Sequence, residues 1–261
     1  MELTDYTYKF RIYPTPEQEI KLAKHFGCVR WCYNHFLNRR VKHYMTTKEQ
    51  DLEKKSLNYN DDSKTLTELK QETEWLNEVN SQSLQHALKH LDSGFNRFFK
   101  KLAKFPKFKS KNNKQSFRVP QHVKVENQKL YIVKFKEGIE INLHRQIEGE
   151  IRNATITKNC AGQYHVSIGV QREIKKLEPN DNVVGIDLGL KTLATCSDGT
   201  IFENIKPYQT LQARRLILAK NLSRTIKGSK NREKARKKLA KLDNYIRNIR
   251  QNHLHKVSHK L

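Results

Sequence analysis

Hydrophobic and polar residues alternate at both ends of the first 175 residues and follow a three-and-four rhythm between them. Tyr6, Tyr8, Phe10 and Ile12 alternate with Thr7, Lys9, Arg11 and Tyr13, which predicts a half-buried strand ending at Pro14. Thr15-Pro16-Glu17-Gln18 then reads as a capping box with proline at the first helical position. The helix behind it carries Leu22, Phe26, Val29, Tyr33, Phe36 and Tyr44 near one face, with Arg30, Asn34, Arg39 and Lys42 away from that stripe. Residues 46–64 are polar and read as a loop, and Thr65-Leu66-Thr67-Glu68 as the capping box of a short second helix. Asn80 or Ser81 caps a third helix, whose seam Leu84, Leu88, Leu91, Phe95, Phe98, Leu102 steps by four and three.

From residue 117 to 172 the period falls to two. Short strands are predicted at Val123–Val125, Leu130–Val133, Ile139–Ile141, Ala154–Thr157 and Tyr164–Val170, with turns at Asn127-Gln128 and Cys160-Ala161-Gly162. Joined by the N-terminal strand, these make a small antiparallel β-barrel, interrupted by a helical insertion over residues 15–110. Lys175 to Asn182, with Pro179, reads as a linker. Val183-Val184-Gly185-Ile186 is apolar on both faces, as in an interior strand, and ends in the carboxylate of Asp187. Gly189-Leu190-Lys191 and Ser197-Asp198-Gly199 are turns, the second closing a hairpin. Beyond Phe202, Leu211, Leu218 and Leu222 form one helical stripe, Lys227-Gly228-Ser229 breaks it, and Ala235, Leu239, Leu242, Ile246, Ile249 and His253 form another. The expected class is therefore α+β and multidomain, with a barrel, a helical insertion and a C-terminal segment ending in a helical hairpin.

Charge narrows the partners. Lys and Arg number 51 against 27 Asp and Glu, a net charge of +24, and such a chain favours a polyanion. Nucleic acid fits, because Lys and Arg contacts to phosphate release counterions. No acid lies between Asp92 and Glu126, while Arg97, Lys100, Lys101, Lys104, Lys107, Lys109, Lys111, Lys114 and Arg118 do, interleaved with Phe99, Phe105, Phe108 and Phe117. Cations for phosphates beside rings for bases suit a nucleic-acid groove. Residues 206–261 hold 17 Lys and Arg against Glu233 and Asp243 alone, a second candidate phosphate-binding face. No apolar run approaches a membrane span and no signal peptide is visible, so no membrane partner is expected. Cys28, Cys32, Cys160 and Cys196 give neither a disulfide framework nor a zinc quartet; they read as core residues of a protein of a reducing cytoplasm.

Asp187 is the one strand-end acid suited to a divalent metal. Two-metal hydrolysis needs several carboxylates. Asp198 belongs to its turn, and Glu203 and Asp243 lie on other elements, so Mg²⁺ is expected to bind weakly or not at all. The Gly-Ile-Asp-Leu-Gly turn also resembles the phosphate loop of actin-like ATPases, but no second phosphate loop or glycine cluster accompanies it. A basic ribosome-associated RNA binder would share the charge and leave the motifs below without a purpose.

The motifs, in order, resemble the OrfB/TnpB proteins of bacterial insertion sequences, relatives of type V CRISPR nucleases. YKFRIYPTPEQ at 8–18, with Gly27, Arg30, Tyr33 and Asn34, is similar to the family's N-terminal signature, a helix-turn-helix-like part over 15–45. FPKFKSK at 105–111 and QSFRVP at 115–120 resemble its central hallmark, and GIDLGLKTLAT at 185–195 its first RuvC motif. KGSKNREKAR at 227–236, with Asn248, Arg250, His255, Lys256 and Ser258, resembles the segment that follows; Asn252 departs from the acid usual there. The resemblance implies a wedge barrel (1–14 with 111–176), a helical recognition lobe (15–110) and the N-terminal part of an RNase H-like RuvC domain (181–261). It implies a guide RNA that reads target DNA by pairing, and DNA cleavage by metal ions on three carboxylates, the first at Asp187. The other two acids, a four-cysteine zinc ribbon and the strands that flank one side of Val183–Ile186 lie further along in the family, so this chain is expected to be C-terminally truncated, without a zinc site and with that strand left as an exposed hydrophobic edge. It would then grip DNA and guide RNA without cutting, or be completed into a nuclease by a separately encoded C-terminal fragment. The candidate nucleic-acid contacts are Lys9, Arg11, Arg30 and Asn34, the basic run from Arg97 to Arg118, and Lys230, Arg232, Lys234, Arg236, Arg250 and Lys256.

Overall fold

A computed structural model describes residues 2–49, 56–174 and 183–261; the linker expected over 175–182 lies outside them. They fall into two compact units, Met1–Asn159 with Gln163–Lys175, and Cys160–Gly162 with Lys176–Leu261.

In the first unit, β1 (Glu2–Tyr13) buries Tyr8, Phe10 and Ile12 on one face, as the alternation predicts. The capping box forms: the Gln18 backbone N–H donates to Thr15 Oγ1 at 3.3 Å and the Thr15 N–H to Gln18 Oε1 at 3.1 Å. The helix it opens, α1 (Pro16–Glu49), runs unbroken for 34 residues. The loop expected over 46–64 is thus shortened at both ends. α1 extends to Glu49, and α2 (Tyr59–Glu72) starts six residues before Thr65. Asn58 decides that start: its side chain accepts the N–H groups of Asn60 and Asp61, and Asp61 returns a bond to the Asn58 N–H. Thr65 is interior, its hydroxyl donating to the Asp61 carbonyl. A 3₁₀ turn at Glu74–Glu78 buries Leu76. Asn80 caps α3 (Ser81–Phe99), whose Leu84, Leu88 and Leu91 are wholly buried. The seam gives out at its end, where Leu102 lies beyond the helix and is exposed.

Strands β2 (Gln115–Val119), β3 (Lys124–Glu126), β4 (Lys129–Ile132), β5 (Phe135–Asn142), β6 (Glu150–Lys158) and β7 (Tyr164–Ile174) join β1 in one antiparallel sheet, ordered β2-β6-β7-β1-β5-β4-β3. Asn127 and Gln128 both take positive φ, as a two-residue hairpin requires. At Gly149, with φ +94°, a Cβ would meet the Gln171 carbonyl oxygen at 2.5 Å, so no other residue fits. Among the described residues β2 and β3 are the ends of the ladder and do not pair with each other, so hydrogen bonds do not close the expected barrel. The sheet's buried face instead shares one continuous core with the helices, from Phe10 and Ile168 to Leu22 and Leu88.

Charge is buried in that core too. Asp62 of α2, with no exposed surface, accepts from Arg39 at 2.7 Å and from Arg40 at 2.6 Å, and Arg40 reaches Asp92 of α3 at 3.0 Å. One buried carboxylate therefore ties three helices, and burial raises its pKa against the opposing pull of Arg40 and Arg39.

The second unit holds β8 (Ile186–Leu188), β9 (Thr192–Cys196) and β10 (Ile201–Glu203) in a three-stranded antiparallel sheet ordered β10-β9-β8. The Asp-Gly turn forms, with the Thr200 N–H on Asp198 Oδ1 at 2.8 Å and Gly199 at φ +85°. The exposed hydrophobic edge expected at Val183–Ile186 is present: among the described residues β8 pairs on one side only, and Val183 and Leu188 are 93% and 75% exposed. After a short α4 (Pro207–Thr210), α5 (Gln212–Ser223) and α6 (Lys230–Lys260) make the predicted helical hairpin. Gly228 turns the chain at φ +87° and Ser229 caps α6. Arg215 of α5 and Asp243 of α6 pair at 2.7 Å, and Val257 joins Ala194, Cys196 and Phe202 in a small second core.

Candidate nucleic-acid interface

The basic run begins where α3 ends. The Leu102 N–H donates to the Arg97 carbonyl and the Lys101 N–H to the Phe98 carbonyl, each at 2.9 Å, the paired bonds of a Schellman cap. Such a cap puts one residue at positive φ, usually glycine; here Lys101 takes it, at φ 61°. The chain reverses there, and Arg97, Lys100, Lys101, Lys104, Lys107, Lys111 and Arg118 are all exposed.

The other predicted contacts in this region are engaged within the fold. Asn34 of α1 clasps the Lys109 backbone from both sides, its Nδ2 donating to the Lys109 carbonyl at 3.0 Å and its Oδ1 accepting the Lys109 N–H at 2.8 Å. Arg30 donates to Gln115 Oε1, and Gln115 Nε2 donates to the carbonyls of Ser110, Lys111 and Asn113. Two α1 side chains on the polar face thus fix the loop that displays the lysines. Lys109 itself turns inward, its ammonium 3.8 Å from the centre of the Tyr33 ring, and burial lowers its pKa. On β1, Lys9 is exposed, whereas Arg11 is half-buried with its guanidinium over the Tyr13 ring.

The sequence reading passed over His86, Lys89 and His90. They lie on α3 away from the leucine seam, with exposed Lys89 next to exposed His90 and about two turns before Arg97. The i, i+3, i+4 spacing on the polar side of the helix was the available signal. Burial, helped by Arg118, His90, Lys89 and Lys109, depresses His86 to about 4, so it is neutral at pH 7 inside a cationic neighbourhood.

In the second unit, Lys230, Lys234, Arg236, Arg250 and Lys256 are exposed along the 31 residues of α6, a rod about 46 Å long. Arg232 is the exception. Its guanidinium donates to the carbonyls of Leu222 and Thr225 at 3.0 and 2.9 Å, satisfying the C-terminal end of α5.

Asp187 sits on β8, exposed. Asp198 is engaged by Thr200 and Asp243 by Arg215. Among the described residues no three His, Cys, Asp or Glu side chains assemble a metal-holding group. One carboxylate oxygen pair does not fit a Mg²⁺ pair, so no chemical step is assigned to a metal here. Cys28, Cys32 and Cys196 are core residues as expected, whereas Cys160, in its turn, is exposed; the Cys32 thiol donates to the Leu84 carbonyl, and burial pushes its pKa up to about 12. No helix among the described residues is long and apolar enough to cross a membrane.

Comparison with known proteins bears on this surface. Residues 163–261 match the OrfB_IS605 family, described as a probable transposase, and residues 1–49 match its helix-turn-helix domain, HTH_OrfB_IS605. That N-terminal segment is here one strand and one uninterrupted helix. The chain is 34% identical over 256 residues to "Putative RNA-guided DNA endonuclease InsQ" of Escherichia coli (strain K12), covering 96% of this chain and 62% of that protein. It is 35% identical over 269 residues to "Putative RNA-guided DNA endonuclease" of Streptomyces pristinaespiralis, covering 100% of this chain and 65% of that protein. The chain thus spans somewhat under two thirds of each relative. A chain of a Cas12f1–sgRNA–target DNA complex aligns over 98% of this chain at 12% identity with a TM-score of 0.32, too loose to inform the fold.

Proposed function

Because the chain belongs to the OrfB/TnpB family of transposon-encoded proteins, we propose that it binds a guide RNA and the DNA that pairs with it, and that by itself it holds these strands without cutting them. The observation that carries the reading is the acid-free segment between Asp92 and Glu126, whose cations stand exposed on a loop pinned by Arg30 and Asn34. A protein that delegates sequence reading to base pairing needs to grip backbones, and phosphate contacts from Lys and Arg do that without regard to sequence. The exposed cations of α6 are a second grip of the same kind. Work on nucleic acid places the protein in the bacterial or archaeal cytoplasm, at the nucleoid.

Asp187 is read as the first carboxylate of a RuvC-type centre, and one such group is too few to space and neutralise two ions. A second reading has its own support. β8 is an open edge carrying Ile186 and Leu188 at the surface, and such an edge accepts a further strand. A separately supplied segment pairing there would bring acids beside Asp187 and complete an RNA-guided endonuclease.

Binding of labelled RNA and DNA by the purified chain, titrated against salt, tests the grip: affinity is expected to fall steeply and log-linearly with salt. Mg²⁺-dependent cutting of target DNA by the chain alone, abolished in Asp187→Ala, would contradict the non-cutting reading. Cutting that appears only when a second polypeptide is added, and that Asp187→Ala abolishes, would establish the second.

A further inference from the structure

The phenylalanines at the end of α3 do something the cations cannot. Phe95 is buried, and Phe99 lies over it nearly parallel, centroids 6.2 Å apart at 25°. After the reversal at Lys101 the chain brings Phe105 back edge-on to both Phe95 (5.5 Å, 88°) and Phe98 (5.3 Å, 87°). Phe98 in turn touches Phe99 at 5.4 Å. Each ring is held by at least two others, so the group is rigid. Yet Phe99 is 67% exposed and Phe105 45%. Core packing explains Phe95; it does not explain rings locked in place and left open to water.

The surroundings select the occupant. Arg97, Lys100, Lys101 and Lys104 flank the rings, and no acid occurs from Ser93 to Val125. Beside them a concavity of about 510 Å³ opens along α3, lined by Lys89, Arg97, Lys100 and Leu102 and by one acid, Asp92, which is paired with Arg40. A rim this cationic disfavours a basic copy of the same chain and favours a polyanion with flat apolar faces. A duplex keeps its base faces stacked inside; unpaired RNA turns them outward, and proteins take them on aromatic rings. Resting on the reading of this chain as a nucleic-acid binder, we infer that the C-terminal end of α3 is a stacking platform for unpaired bases of RNA. Phe99 and Phe105 receive bases, and the neighbouring cations hold the phosphates on either side. A residue that could have been glycine is a lysine at the reversal, which places a cation where the platform needs one.

The full chain is tested by fluorescence anisotropy with a labelled single-stranded RNA and with the same strand carrying abasic sites, equal in length and charge. The wild type is expected to prefer the intact strand about tenfold. Phe99→Ala, at an exposed position, is expected to abolish most of that preference with the salt slope unchanged, and Phe99→Trp to restore it. Equal binding of intact and abasic RNA by the wild type, or an undiminished preference in Phe99→Ala, would overturn the platform and leave the phosphate grip standing. A preference shown only by the matching DNA strand would overturn the assignment to RNA. Failure of the wild type to bind either RNA would bring down the broader reading and the platform with it.

Discussion

The two units carry cations at similar density on very different foundations. In the first, the basic loop after α3 hangs from a core in which Phe10, Leu22, Leu84, Leu88 and Ile168 are all essentially without exposed surface. In the second, α6 rests on a core of Ala194, Cys196, Phe202 and Val257, with Leu242 and Ile246 buried further along, while Val183, Leu188 and Leu190 stand in water. Charge patterning alone does not distinguish the units; what lies beneath the charge does. A cation on a rigid support holds its position against the repulsion of its neighbours, and one on a thin support relies on the partner to order it.

The largest expected effect is on the ion-pair knot that only the first unit has. Asp62→Ala takes from Arg39 its carboxylate and leaves buried Arg40 with Asp92 alone, and is expected to destabilise that unit by about 3–5 kcal/mol, measured by urea unfolding. Next is core truncation. Leu88→Ala is expected to cost about 2–5 kcal/mol and Leu242→Ala to fall at or below the low end, because the site around Leu242 is already open. Equal losses would erase the contrast drawn between the two units.

Acid should find the first unit before the second. Burial holds His25 and His86 below their usual pKa, so between pH 6.5 and about 4 the unfolded chain binds protons that the folded protein refuses. Stability is then complete above that window and is lost as pH falls through it. His86→Gln is expected to flatten the dependence in a series of melting curves.

Smaller effects separate frame from grip. Lys101→Gly relieves the positive φ and is expected to stabilise the fold by about 1 kcal/mol, while lowering the salt slope of nucleic-acid binding by about 1. Arg232→Ala is expected to cost about 1 kcal/mol in stability, from two lost bonds at the end of α5, and to leave the salt slope alone. Lys234→Ala should do the reverse, lowering the slope with little change in melting temperature.

Much of this was legible in the chain because it is local. Alternation along β1, the Thr15–Gln18 box, the seam of α3, the Asn127-Gln128 turn and the break at Gly228 each depend on residues within a few positions of one another. The start of α2 was misplaced because two capping signals compete there, and the Asn58–Asp61 pair prevails over Thr65–Glu68. The helix-turn-helix resemblance marked the right segment, yet α1 runs through Gly27 without a break, since a lone glycine weakens a helix by only about 1 kcal/mol and the buried stripe continues past it.

The sequence by itself determined the periodicities, the turns and the excess of positive charge, and so most of the elements and the class of partner proposed. Tertiary structure decided which of the candidate contact side chains are engaged within the fold: Asn34 and Arg30 by the loop 75 and 85 residues away, and Arg232 by the end of α5. The open edge at Val183–Leu188, by contrast, was expected for a strand short of one neighbour, and the exposure of Val183 and Leu188 bears it out. Hydrogen bonding and burial between distant segments are properties of the folded arrangement, and no local pattern encodes the partner a side chain will meet.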